Sequence, residues 1–179
     1  MDCFQVAFWP KNKNNERFCH CKGSNFPMKK LDEIIQLATS NYYKLLAIVG
    51  EGTKKKKIIE FLEKKGWQSF NLEQEVLKLT EEIDDVSLPF EAKTVLKNWL
   101  YQLPDQLVFD NTSILYSREM DYPSPIDAFK YHTRTKTIIL FLEGEIFGSK
   151  LIYSEPGRPD YCEVDLSDII YVKLEDIDV

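Results

Sequence analysis

Residues Leu45 to Leu62, LLAIVGEGTKKKKIIEFL, constrain this chain more than any other stretch. An apolar, β-like run ends at Gly50, a short polar loop follows, and an apolar-periodic helix begins near Lys54. Strand, loop and helix in that order form the place where nucleotide-binding proteins cradle phosphate on a helix N-terminus. Counted from Gly50, the pattern G-x-x-x-x-G-K-[ST] puts Lys56 at the phosphate lysine. It also puts Lys55 where the second glycine belongs and Lys57 where the magnesium-holding hydroxyl belongs. The stretch Gly50, Glu51, Gly52, Thr53, Lys54, Lys55, Lys56 and Lys57 therefore has the layout of a phosphate loop with two defining residues replaced. A lysine run is more often a solvated helix start. Here it follows an apolar strand and a glycine loop, and lysines at a helix N-terminus oppose the macrodipole at a few tenths of a kcal/mol each. A bound anion would relieve that cost.

The 179 residues, 44% hydrophobic and 13% aromatic, suit one globular domain able to bury its own core. No apolar run approaches the ~20 residues of a membrane span, and the N-terminus has no signal-peptide-like apolar region, so a cytoplasmic protein without membrane contact is expected. Cys3, Cys19, Cys21 and Cys162 are too few and too clustered for a disulfide scaffold, which points to reduced thiols. The net charge of −6 disfavours a chain-wide footprint for nucleic acid, leaving only indirect contact with it. Local basicity is confined to 54–57 and 64–65, and acid collects in 73–85 and after Glu163.

Two units are expected. Residues 1–27 are rich in Asn, Lys, Cys and aromatics and show no period. They read either as an appended arm or as translation from an upstream start, with Met28 the native one; the second is preferred because Lys22-Gly23-Ser24 can be encoded by a purine-rich, ribosome-binding-like stretch. Cys19-His20-Cys21, with Cys3, lacks the second tight pair of a structural zinc site, and no metal is expected there. Residues 28–179 form the folded domain, beginning with a helix that puts Leu31, Ile34, Ile35 and Ala38 on one face.

Strands are expected at 45–49, 67–71, 106–110 and 137–142, with helices at 54–65, 72–83, 89–101 and 124–132 between them. Short strands at 150–154, 161–164 and 169–172 follow as β-rich edge structure. The alternation predicts an α/β fold, a P-loop-like three-layer sandwich with a mainly parallel sheet and a β-rich C-terminal end. Ligands of such sheets bind beyond the carboxyl ends of the strands, where Gly50 and Asp110 both fall.

Leu107-Val108-Phe109-Asp110 is the second nucleotide signal: an apolar strand ending in an acid able to hold magnesium through water. Asn111, Thr112 and Ser113 follow, and none of them is a carboxylate base. Arg134 precedes the strand at 137–142, which should lie beside the first strand. It is a candidate phosphate sensor for its own loop or a neighbour's, against the plainer reading of a helix-capping surface arginine. His132 reads as an ordinary surface or helix-end histidine.

Phe109-Asp110-Asn111 with Ile114-Leu115-Tyr116, then Pro125 to Tyr131 with Arg134, and the segment Leu151-Ile152-Tyr153-Ser154-Glu155-Pro156-Gly157-Arg158-Pro159-Asp160-Tyr161 carry a resemblance. Together with the loop after Gly50 and with Phe70-Asn71-Leu72-Glu73, they resemble BrxF, a family of small P-loop proteins of type 3 BREX bacteriophage-exclusion systems. The resemblance runs from about Met28 to Val172. It implies a role in blocking phage replication beside a large ATPase, a methyltransferase, a helicase and a phosphatase-like subunit, with the large ATPase as the expected direct partner. ATP or GTP with magnesium is the candidate ligand of the glycine loop, with no cofactor required.

The chain departs from that family at Lys55-Lys56-Lys57, where relatives carry Gly-Lys-Thr or Gly-Lys-Ser, and at Ser113, where an acid is expected. Weak phosphate binding without hydrolysis follows as the leading expectation, in an accessory subunit acting through protein contacts. An active ATPase or GTPase and a nucleic-acid-binding accessory are the alternatives. Tyr153, Glu155, Arg158, Asp160 and Tyr161 are the candidate partner contact, against a plain role in closing the sheet edge.

Overall fold

The computed structural model of the chain describes residues 29–84, 86–117 and 124–178. The arm read at 1–27, with its Cys19-His20-Cys21 group, lies outside the described residues. The order begins β1 (Lys29–Lys30), α1 (Leu31–Ser40), β2 (Leu45–Val49), α2 (Lys54–Lys64), β3 (Gln68–Asn71), α3 (Leu72–Thr80) and α4 (Leu88–Gln102). It continues with β4 (Gln106–Asp110), α5 (Asp127–Lys130), β5 (Thr137–Leu142), β6 (Glu145–Phe147), β7 (Lys150–Tyr153), β8 (Cys162–Asp165), β9 (Ile170–Lys173) and β10 (Ile177–Asp178). Short 3-10 turns lie at Thr112–Tyr116, His132–Arg134 and Leu174–Asp176.

Five strands make the central sheet in the order β3-β4-β5-β2-β9, every neighbouring pair parallel. A strand covered on both faces needs apolar residues at every position, and β2 is buried throughout. Its two faces feed two cores. Leu45, Ala47 and Val49 pack with Val76 of α3 and with Leu96 and Leu100 of α4. Leu46 and Ile48 pack with Leu31 and Ile34 of α1 and with Ile58 and Leu62 of α2. Helices therefore cover both sheet faces, and each buried Leu or Ile contributes about 1.5–3 kcal/mol. Phe109 anchors the first core, its ring 5.8 Å from Phe70, 5.9 Å from Trp99 and 5.1 Å from Phe129.

Local signals end the helices. Gly66, at φ +91°, takes the left-handed turn that stops α2, and its N–H donates to the Glu63 carbonyl. Asn71 caps α3, its side-chain oxygen accepting the Gln74 N–H at 3.1 Å.

The structure departs from the sequence expectation at α5 and β6 and refines it at β9. The helix read at 124–132 shrinks to α5 and a 3-10 turn, where the hydroxyls of Thr133 and Thr135 donate to the Lys130 and His132 carbonyls. Threonines that bond locally compete with helix continuation. β6 adds an unexpected strand to the antiparallel sheet β6-β7-β8. β9, read with the β-rich edge structure, is the outer strand of the central sheet beside β2, with Leu46 opposite Ile170.

Candidate functional site

The carboxyl ends of β2, β4 and β5 bring the expected loop and the expected acid together. Val49 and Leu142 are register partners, and the Gly50 N–H donates to the Leu142 carbonyl at 3.0 Å, carrying the ladder one residue into the loop. Gly50 has φ +125°, and a Cβ there would lie 3.4 Å from the Leu174 Cβ. The glycine is thus required by the backbone, and the turn after β9 packs directly against it. α2 begins at Lys54 with no side-chain cap from Thr53 and no acid in its first turn. The Lys55 N–H donates to the Gly52 carbonyl at 3.2 Å, and the rest of the first turn has no side-chain cap.

The lysines part company. Lys55 leans to the sheet side with Ile58 and Leu62, and its ammonium forms an ion pair with Asp110 at the tip of β4. β5 separates β2 from β4, a gap of two strand spacings of about 4.8 Å, and the long lysine stem crosses it. Both side chains are about three-quarters buried. Lys54 donates to the Glu175 carbonyl at 3.2 Å. Lys56, at the phosphate-lysine position of the motif, and Lys57 are exposed on the outer side of the helix.

Asp110 is held by more than Lys55. Its Oδ1 accepts the N–H of Asn111 at 2.6 Å, and Asn111 sits in the left-handed region at φ 51°, which asparagine tolerates. The buried Thr112 hydroxyl then donates to the Phe141 carbonyl at 2.7 Å, tying the acid's loop to β5. Glu143, just past β5, is a member of this site that the sequence reading missed. Burial pushes its carboxyl up, the charges of Glu51, Asp110 and Glu73 push the same way, and Lys55 opposes them. The strand tips thus gather acids around the Lys55 ammonium. No local motif marked Glu143; only the position of β5 between β2 and β4 brings it there.

A magnesium nucleotide does not fit these residues. The acid that would hold the ion is paired with Lys55, and the hydroxyl position is an exposed lysine. Among the described residues no group of three or more His, Cys, Asp or Glu side chains is arranged to hold a metal.

Arg134 does not belong to this cluster. It precedes β5 at the amino end of the sheet, and the six residues of β5 span about 20 Å before the loop is reached. Its guanidinium lies 5.4 Å from the Tyr42 ring centroid. A parallel strand carries whatever precedes it to the edge away from the ligand, so this arginine cannot sense phosphate in its own loop. His132, read as a surface or helix-end histidine, is buried rather than at the surface, and it does lie at a helix end, opening the 3-10 turn that follows α5.

The candidate partner segment joins β7 to β8. Tyr153 stacks on Tyr116 with centroids 3.9 Å apart and rings within 4° of parallel, and the Tyr116 hydroxyl donates to the Glu143 carbonyl at 3.2 Å. Tyr153 is thereby committed to packing the small sheet against the Asp110 loop. Glu155 and Arg158 are exposed. Asp160 accepts from the Ser154 hydroxyl and from Arg158 Nε, which hold its carboxyl below the usual range, the serine more than the arginine. Tyr161 donates to Glu163 at 2.6 Å.

Among the described residues no helix is long and apolar enough to cross a membrane. No protein-family model, curated protein or solved structure matches this chain.

Proposed function

We propose that this chain is a degenerate P-loop domain that does not hydrolyse nucleotide and serves as an accessory, interaction subunit of a phage-exclusion assembly of the BREX type 3 kind. The observation that carries the reading is the Lys55–Asp110 ion pair, which places an ammonium where the acid of a working site would face a magnesium ion. The strand order supports the P-loop layout, since β5 lies between the loop-bearing β2 and the acid-bearing β4, the neighbour relation expected for such a sheet. The phage-exclusion setting and the large ATPase as partner rest on the resemblance of the motifs to BrxF. Phosphate binding without a metal remains open to the uncapped first turn of α2 with Lys54, Lys56 and Lys57.

Phage plating on cells that carry the whole system tests this function. Lys56→Ala should leave protection intact, whereas deletion of the chain should abolish it. Loss of protection with Lys56→Ala in a normally folded protein would return the chain to the hydrolysing class. Arg158→Glu with Asp160→Lys tests the exposed β7–β8 connection as the docking surface. Partners that still co-purify with that variant place the contact elsewhere.

A further inference from the structure

The loops that enter β2 and β5 lie side by side at the amino end of the sheet, where the Lys44 N–H donates to the Thr133 carbonyl at 3.0 Å. Cations sit over tyrosine rings along this face. Arg134 lies 5.4 Å from the Tyr42 ring centroid, Lys130 5.6 Å from that of Tyr43, and Lys97 of α4 5.1 Å from that of Tyr131. Tyr42 and Tyr43 meet edge to face, with centroids 4.9 Å apart. Such cation–ring pairs occur about once per 70–80 residues, so three on one face are a local concentration. The rings are not packed away: Tyr42 is 65% and Tyr131 62% exposed.

The charges and the composition of the face decide what it fits. Lys130 is held by Asp127 at 3.6 Å and by Asp168 at 3.7 Å, and Lys136 donates to the carbonyls of Leu103 and Pro104. Arg134 and Lys97 are exposed and pair with no acid among the described residues. Lys44, Lys97, Lys130 and Arg134 thus stand against Asp105, Asp127 and Asp168, a small positive balance on a chain whose net charge is −6. Asn41-Tyr42-Tyr43-Lys44 and the run from Lys130 to Lys136 contain no aliphatic residue, whereas the centre of a protein–protein interface is apolar. A ring with a cation against it instead meets a nucleobase and its phosphate together, the base by stacking and the phosphate by charge.

We propose that this face binds single-stranded nucleic acid, with bases stacked on Tyr42 and Tyr131 and backbone phosphates met by Arg134 and Lys97. It lies at the end of the sheet away from the glycine loop and does not rest on the reading of that loop. With so small a surplus of charge, stacking carries most of the affinity, and every base has a face to stack. Binding is therefore tolerant of sequence and only modestly sensitive to salt. Two phosphate contacts on a single strand give a loss of about sevenfold between 50 and 200 mM salt. Bases in a duplex are already stacked on one another, so the duplex binds more weakly.

Fluorescence anisotropy of the full chain with a labelled oligothymidylate of about 20 nucleotides, beside a duplex of the same length, tests this. Tyr42→Ala and Tyr131→Ala, both at exposed positions and with folds checked by circular dichroism, should each weaken single-strand binding at least about fivefold. Tyr42→Phe and Tyr131→Phe keep the ring and should bind like the parent. Arg134→Gln should flatten the salt dependence to about half its slope. No rise in anisotropy at protein concentrations up to about 100 µM would overturn the proposal, as would equal or tighter binding of the duplex. So would binding that survives both alanine variants but is lost in Lys56→Gln with Lys57→Gln, which would move the strand to the glycine loop.

Discussion

Lys55 on the first turn of α2 reaches across β5 to pair with Asp110 at the tip of β4. That one contact joins the two motifs that the sequence separates, and it sets the chemistry of the strand tips. An ammonium is bulky, carries one charge and offers no open coordination position to a phosphate oxygen. A magnesium ion does the opposite on each count.

Purified protein should release phosphate from ATP or GTP at the background rate, with Lys56→Ala indistinguishable from the parent. Phosphoryl transfer needs charge stabilisation and an oriented water, whereas Asp110 is paired with Lys55 and a lysine, Lys57, stands at the magnesium-holding hydroxyl position. Turnover on the order of 1 s⁻¹ would contradict this.

Gly50→Ala should destabilise the fold with no nucleotide present. At φ +125° a side chain is strained, and its Cβ would lie in contact with Leu174. A loss of about 1–3 kcal/mol in urea unfolding is expected. An unchanged midpoint would mean that the loop relaxes freely and that Leu174 does not hold it.

Tyr153→Ala should lower stability by about 2 kcal/mol, or roughly 4–8 °C in Tm, because it removes the ring stacked on Tyr116. Tyr153→Phe should keep most of the loss away. A Tyr153→Ala protein as stable as the parent would return this tyrosine to the docking surface.

Glu143→Gln should stabilise the protein at neutral pH and leave it nearly unchanged in acid. The folded-state carboxyl is raised, first by burial and then by Glu51, so its ionisation costs stability. That cost is absent below the unfolded-state value, about pH 4.3, and grows as pH rises through the higher folded one. Melting curves at about pH 4 and pH 7.5 should therefore converge and diverge respectively. The same gain at both would place the effect in packing rather than charge.

Much of the fold was legible because its signals are local. The unbroken apolar run of β2 and the glycine after α2 mark elements wherever they sit. What escaped depends on where the elements come to lie. One residue on a helix turns a side chain by about 100°, so the exact start of α2 decides whether Lys55 or Lys56 faces the sheet. The motif count alone favoured Lys56. Arg134 was read as a sensor from its nearness to a strand, without regard to the end of the strand it precedes. Glu143 and the buried His132 carried no pattern at all, because their neighbours come from other elements of the chain. β9 had the composition of any short strand, and only its pairing with β2 gives it a place in the central sheet.

The most direct test of the account is a calorimetric titration of the protein with ATP, with magnesium present and with magnesium chelated. If Lys55 already neutralises Asp110, the ion has no seat, and the binding heat and affinity, whatever their size, should agree in the two titrations within about twofold, well under the 1.4 kcal/mol of a tenfold change. Binding that strengthens tenfold or more with magnesium would show that Asp110 releases Lys55 to hold the metal, and would contradict the central claim.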